Sequence, residues 1–317
     1  MKIGRVIIGI ALALLAAGAA ALFFRFFPCI QGAGLLEKNL DLGKMSFDLT
    51  LGLSGERLSE EQIVFVDTLS EITGIQREDL LRLRIKGQSW EDMLYFEVIP
   101  QGEEEPLTQM YLGEEQDVVN AAMLYHAVRS SLTERYQFLE LLLPQWSGGE
   151  YVSLEQAEQM FALDLEGVKD FSLSDYQNIL SYWEYFALLA VMDQEKASDG
   201  ALEFSLHTTL PGDEQENDGS VRLKLRLDRS GNPSTVSAEY HVNNMPLVLH
   251  RLDALLAKAG RTEAFSQKKG LLPIESVEGT LVIGNGESLQ IPDALIDQET
   301  VDQITAIRRI LQEMLGK

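Results

Sequence analysis

The amino-acid sequence predicts an α+β protein, with a curved antiparallel β-meander in one or more sheets, covering helices, and one N-terminal transmembrane helix before them. Three observations support this class. Several segments alternate apolar and polar residues with the period of two that marks a strand covered on one face only. Helical segments with capping signals interrupt them without the regular βαβ alternation of a parallel sheet. A long apolar run precedes both kinds of segment.

The apolar run extends from residue 6 to residue 24, contains no charged residue, and is flanked by Lys2, Arg5 and Arg25. At 1.5 Å per residue, a helix of this length spans roughly 28 Å, about the hydrocarbon thickness of a bilayer. The bases before the run favour a cytoplasmic N-terminus. We therefore expect a single-pass protein of the cell membrane, with residues 1–30 as cytoplasmic tip and anchor and 31–317 as an extracytoplasmic domain.

A cleaved signal peptide is the alternative, because Ala19-Ala20-Ala21 offers a small-x-small cleavage site. Cleavage there would leave a new terminus that begins at Leu22 and exposes the four phenylalanines that follow it. The sequence therefore favours an uncleaved signal-anchor.

Alternation is clearest in three segments, namely Phe47–Leu53, Leu81–Ile85 and Val221–Leu227. Further strands are predicted at Met93–Ile99, Leu107–Leu112, Leu202–Leu210, Thr235–Val242 and Val277–Ile283. Residues 228–233 and Gly284-Asn285-Gly286 have the composition of hairpin turns, because these residue types tolerate positive φ. The strands are therefore expected to form a meander.

Helices are predicted where a capping residue precedes an apolar pattern. Ser59, Ser153 and Ser174 are each followed three residues later by Gln, the spacing of a capping box. The predicted helices cover about 60–73, 154–162, 175–195, 121–141 after Asn120, 246–259 after Asn244, and 298–315 after Asp297.

A turn-rich link at residues 145–150 divides the extracytoplasmic domain into two candidate halves, 36–147 and 152–317. Residues 117–120 and 240–243 each look like a strand that ends in Asn and leads into a helix. One large domain and a duplicated pair of halves both remain open.

Composition excludes several functional classes. The chain has 26 Lys and Arg against 49 Asp and Glu, a net charge of −23, which is unsuited to binding nucleic acid through phosphate neutralisation. One Cys excludes an intramolecular disulfide framework and a zinc site built of thiolates. The four His form no metal-binding motif. We expect no catalytic residues, no metal, no cofactor and no enzyme activity.

Two charged patterns have simple structural explanations. Residues 214–219 imitate the start of a calcium loop, but Leu225 occupies the place of the closing bidentate Glu, so a solvated hairpin tip is expected. Two strands carry three bases each on the face opposite their apolar residues: Arg82, Arg84 and Lys86, and Arg222, Lys224 and Arg226. These are predicted to lie on a solvated outer face, paired with acidic neighbours.

The strands 47–53, 81–85 and 221–227, with the helix after Ser59 between the first two, resemble the arrangement in extracytoplasmic lipoprotein carriers of the LolA/LppX-like half-barrel type. The resemblance covers residues 36–317 as an arrangement of elements and includes no specific motif. It implies a strongly curved sheet whose concave face, covered by helices, holds acyl chains.

The expected function is therefore non-catalytic binding of an apolar ligand, a lipid or lipoprotein, in a cavity between sheet and helices. This requires an apolar pocket above roughly 300 Å³. The predicted lining is the inward-facing set Phe47, Leu49, Leu51, Leu81, Leu83, Ile85, Leu223 and Leu225. The alternative is an acidic envelope scaffold that binds a protein partner and has no cavity.

Overall fold

The computed structural model describes residues 25–38, 43–113, 116–161, 181–212, 218–228, 235–258, 273–293 and 295–315. Within these ranges no helix combines the length and the apolar composition needed to cross a bilayer. The predicted span at residues 6–24 and the predicted capping pair Ser174 and Gln177 lie outside the described ranges. So do residues 214–217 of the predicted hairpin tip and residues 229–233 of the predicted turn.

The strands are β1 Lys44–Leu53, β2 Arg82–Trp90, β3 Met93–Pro100, β4 Thr108–Leu112, β5 Val118–Asn120, β6 Tyr151–Ser153, β7 Asp193–Lys196, β8 Leu202–Leu210, β9 Gly219–Asp228, β10 Thr235–Asn243 and β11 Ile274–Ile283. In the described part of the chain they form one antiparallel sheet, ordered β6-β5-β4-β3-β2-β1-β11-β10-β9-β8-β7. The predicted α+β class and its antiparallel sheet are confirmed. The pairing of β1 with β11 joins two meanders, β1–β6 on one side and β7–β11 on the other.

The eight strands predicted in the sequence analysis are all present, with ends shifted by up to five residues. Leu81 is one such shift: β2 begins at Arg82, and Leu81 instead ends a short helix, α3 Arg77–Leu80. The alternation does not reveal β6 and β7, which lie at the two edges of the sheet. Each has only three or four residues, too few to show a period of two.

The register places the predicted inward-facing strand residues on one face of this sheet. Leu49 is paired with Ile85 on β2, and Leu51 with Leu83. Phe47 is linked to Leu225 through directly paired residues of β11 and β10. Because directly paired residues share a face, the apolar surface is continuous across both meanders.

The remaining helices are α1 (residues 25–38), α2 Glu60–Thr73, α4 Ala122–Arg135, α5 Leu154–Phe161, α6 Tyr182–Val191, α7 Met245–Lys258 and α8 Gln298–Leu315. Helix α2 has the predicted capping box, in which the Ser59 hydroxyl accepts from the Gln62 N–H and the Gln62 side chain accepts from the Ser59 N–H. Helices α1 and α6 pack on the apolar face of β8–β11, and α5 packs against α8 beside β6.

Helix α1 runs across the boundary expected at residue 30 and belongs to the folded body. Its residues Cys29, Ala33 and Leu36 are buried against Leu189 of α6 and Phe204 of β8. Their spacing of i, i+4 and i+7 gives the helix one apolar face toward the sheet.

Two helix predictions require correction. The helix expected at 175–195 ends at Val191, and the residues after it form β7, which pairs with β8. The helix expected at 121–141 stops at Arg135 and is followed by a 3₁₀ turn, Gln137–Leu141.

The predicted hairpin turn at Gly284-Asn285-Gly286 is also wrong. After β11 the chain continues as a loop toward α8 instead of returning as a strand. Gly286 allows the loop to pass close to β2, because a Cβ at this position would lie 2.6 Å from the Ser89 carbonyl oxygen. The loop therefore crosses the end of the sheet near β1 and β2.

The opposite face of the sheet carries ion pairs, as predicted for its bases. Arg84 donates from Nε to Asp48 at 2.7 Å, and Arg226 donates to Glu203 at 2.7 Å and also to Asp199. The side chains of these bases are substantially exposed. This face is therefore a solvated outer surface with local charge pairing.

The Asp48–Arg84 pair gives a pH-dependent prediction. Its hydrogen bonds lower the pKa of Asp48, so its stabilisation is present above the ordinary Asp pKa and is lost as pH falls through the folded-state value. Because the pair is exposed, we expect Arg84→Gln to cost less than about 1 kcal/mol at pH 7. Urea denaturation of both chains as a function of pH checks this. A difference that persists at pH values below the folded-state pKa of Asp48 would contradict the assignment.

Candidate functional site

An apolar cavity of about 330 Å³ lies between the β1–β5 part of the sheet and the helices α2, α4 and α5. Its lining consists of Leu53, Leu58, Gln62, Phe65, Val66, Leu69, Leu80, Leu83, Val98, Leu107, Thr108, Met110, Val119, Asn120, Ala121, Leu124, Ala157 and Phe161. Fifteen of these eighteen residues are apolar. The space is therefore suited to hydrocarbon and offers little to a polar molecule.

The sheet forms the floor of the cavity through residues that share its apolar face. The register pairs Met110 of β4 with Val119 of β5, and Val98 of β3 with Thr108 of β4. Leu83 of β2 belongs to the same face. These side chains point the same way because alternate residues of a strand lie on one side of the sheet.

Helix α2 forms much of the roof. Phe65, Val66 and Leu69 face the cavity at successive positions of i, i+1 and i+4, the spacing of one helical side. Phe65 also remains 53% exposed to solvent. A residue that both lines the cavity and is half exposed marks the place where the cavity reaches the surface.

The three polar side chains in the lining are largely committed to protein partners. Gln62 takes part in the capping box of α2. The Thr108 hydroxyl donates to the Asn120 carbonyl at 3.1 Å, and Asn120 donates from Nδ2 to Glu150 at 3.2 Å. The Asn120 Oδ1 atom is buried without a hydrogen-bond partner in the described part of the chain. A polar head group would thus find few available partners inside.

The structure distributes the sequence-predicted residues over several places. Leu83 lines the cavity, whereas Leu225 is buried in the separate core under α1 and α6. Phe47 borders a polar groove of about 360 Å³, and Leu223 an open depression of about 680 Å³. The other predicted residues are partly buried. The sequence analysis predicted covering helices but named none of the lining residues of α2, α4 and α5. The apolar spacing within α2 carries a signal for those of α2.

The two other depressions are less suited to an apolar ligand, although their volumes exceed that of the cavity. The larger is open and includes Arg222, Lys224 and Glu239 in its lining, and the smaller includes Lys86 and Glu97. Charged walls that face water favour solvent over hydrocarbon. The smaller volume with apolar walls is therefore the better ligand site.

A cluster of tyrosines lies on the outer face of β3–β6. Tyr95 donates to Glu97 at 2.5 Å, Tyr151 donates to Gln109 at 2.9 Å, and Tyr111 packs against both rings. Burial raises the pKa of Tyr95 and raises that of Tyr151 to about 12, so both phenols stay neutral at pH 7. Among the described residues, no group of three His, Cys, Asp or Glu could hold a metal ion.

The single cysteine gives a further prediction. Cys29 is fully buried, and Gln194 donates to its Sγ at 2.9 Å. Burial raises the pKa of the thiol, which lowers the fraction of reactive thiolate. We expect no labelling by a maleimide in the folded chain and rapid labelling in denaturant, measured by intact mass. Labelling at equal rates in both conditions would contradict the packing of α1.

The geometry thus provides an apolar cavity with one half-exposed aromatic at its mouth, separated from a charged outer surface. No family model, curated protein or solved structure matches this chain.

Proposed function

We propose that this protein is a membrane-anchored extracytoplasmic protein that binds the acyl chain of a lipid or lipoprotein in the cavity of α2, α4, α5 and β1–β5, without chemical turnover. The observation that carries the proposal is the 330 Å³ cavity with fifteen apolar residues in its lining. It exceeds the roughly 300 Å³ at which ligand pockets begin.

Hydrocarbon burial supplies enough free energy for such binding. Each methylene removed from water contributes about 0.8 kcal/mol, so a 16-carbon chain contributes about 13 kcal/mol when fully buried. After the association cost of several kcal/mol, binding of micromolar strength remains. In this proposal the head group stays at the mouth beside Phe65, where water can solvate it.

The proposal includes two features beyond the described fold. The sheet curves around its apolar face, as in the lipoprotein carriers that the sequence resembles. Residues 6–24 anchor the protein in the cell membrane with the N-terminus in the cytoplasm, which keeps the cavity close to a source of acyl chains. The uncharged run of this length supports the anchor.

A second candidate function is an envelope scaffold that binds a protein partner. The observation that favours it is the 3₁₀ turn Gln137–Leu141, which exposes Phe138 and leaves Leu141 92% exposed. Exposed apolar side chains at this density are typical of interaction surfaces. Under this candidate, Leu141→Asp would abolish cross-linking to an envelope partner, and the wild-type chain would bind no acyl chain.

A photoreactive palmitate with a diazirine in its chain tests the proposed function in membranes that contain the full chain. We expect adducts on cavity residues such as Leu69 and Met110, identified by peptide mass spectrometry, and their loss when excess palmitate competes. Adducts confined to residues 6–24 would contradict the proposal, because these residues contact bulk lipid whether or not the cavity binds a ligand.

A further inference from the structure

Helix α6 has apolar residues on two opposite faces. Tyr185, Leu189 and Met192 are buried against the sheet and α1. On the other side, Trp183 is 72% and Val191 69% exposed, and the exposed Ala187 lies between them. Positions i, i+4 and i+8 fall on one side of a helix, so these residues form a continuous outward stripe. Packing in the core explains the apolar residues on the buried face of α6, but it does not explain those of the outward stripe.

Helix α1 extends this apolar surface. Its buried face contacts the sheet, and Phe27 and Ile30 remain exposed on other sides of the helix. The two helices contact each other through Phe26 and Phe186, whose ring centroids are 5.9 Å apart, and through Tyr182, which donates to the Ile30 carbonyl at 3.5 Å. Within α6, Trp183 packs against Phe186 at 6.0 Å between ring centroids. We call Phe27, Ile30, Trp183, Ala187 and Val191 the outer apolar patch.

The end of α6 lies beside Arg25, the first described residue of α1, because Arg25 donates to the Met192 carbonyl at 3.4 Å. Val191 is therefore located near the residue at which the uncharged run of residues 6–24 ends. Along a helix, Phe27 and Ile30 follow Phe24 by about 4.5 and 9 Å. This matches the depth of roughly 5–10 Å over which amphipathic helices contact the boundary of head groups and acyl chains.

We propose that the outer apolar patch rests in the head-group boundary of the membrane that anchors the chain. The inference rests on the proposed anchor, and its occupant is the lipid surface. Trp183 suits this position because an indole places an apolar ring and a polar N–H at the membrane–water boundary. Contact on this side would also fix the orientation of the folded body relative to the bilayer.

The test uses the full chain with Trp183 as its only tryptophan (Trp90→Phe and Trp146→Phe), reconstituted into phosphatidylcholine vesicles with or without acyl-chain bromine. We expect brominated lipid to quench the Trp183 emission, and aqueous iodide to have little effect. The matched control retains Trp146 alone, which donates to the Gly149 carbonyl within the protein, and should not respond to brominated lipid.

Two quenching results would overturn the proposal. Quenching of Trp183 by iodide alone would show that the patch faces water. Protection from both quenchers would show that protein covers it, a second copy included. Release of the chain by alkaline carbonate would instead show that the anchor is wrong.

A spin label at Val191→Cys provides an independent readout, because the buried Cys29 should not compete for the label. We expect greater relaxation of the label by oxygen than by a water-soluble nickel complex. The reverse order would also overturn the proposal.

Discussion

Gly279→Ala is expected to destabilise the folded chain by more than about 4 kcal/mol, a large part of the 5–15 kcal/mol that stabilises a typical domain. A Cβ on Gly279 would lie 2.2 Å from the Asp48 carbonyl oxygen and 2.8 Å from the Leu49 Cα. Both atoms belong to the backbone of β1, so no side-chain rotation can relieve the contact. The substitution would separate β1 from β11, the ladder that joins the two meanders.

Gly34→Ala is the matched control for this prediction. Gly34 lies in α1, and the nearest atom to a Cβ there, Tyr182 Cε2, is 4.0 Å away. Alanine favours a helix over glycine by up to about 1 kcal/mol, so this change should be neutral or slightly stabilising. Urea denaturation followed by near-ultraviolet circular dichroism compares the two variants. Similar midpoints for both would contradict the central strand pairing.

Val66→Trp is expected to weaken acyl-chain binding by about 100-fold. The indole would occupy space in the cavity lined by Val66 and displace about four methylenes of the ligand, worth about 3 kcal/mol. Because the added atoms enter an existing space, the cost to folding should be small. Titration of the full chain with a fluorescent fatty acid, in amphipol instead of detergent, measures the affinity.

Val64→Trp provides the control on the same helix. Val64 is 58% exposed, so the same substitution there should leave the affinity unchanged. Equal losses in both variants would indicate a general disturbance of α2, and unchanged affinity in both would place the ligand outside the cavity. Circular dichroism of the two chains verifies that α2 is retained.

The longer strands could be predicted because each has one covered face. Leu202–Leu210 was predicted with its observed ends, and Ser59 with Gln62 correctly marked the start of α2. Both signals are local: a period of two, and two side chains that satisfy free N–H groups at a helix start.

The cavity could not be predicted in the same way, because it depends on contacts between distant segments. Alternation assigns Leu83 to a face but does not reveal that α2 and α5 lie over it, with Val66 and Phe161 in the same lining. Helix α1 was missed for a different reason. Its apolar residues follow directly after those of the predicted anchor, although Cys29, Ala33 and Leu36 already show the spacing of a buried helix face.

The most direct test of ligand binding is native mass spectrometry of the full chain after gentle extraction from its membrane. We predict a species heavier than the bare chain by the mass of one acyl-bearing molecule, released by moderate collisional activation. It should persist in Val64→Trp and be lost in Val66→Trp. A bare mass for the wild-type chain under conditions that preserve other lipid–protein complexes would contradict the proposed function.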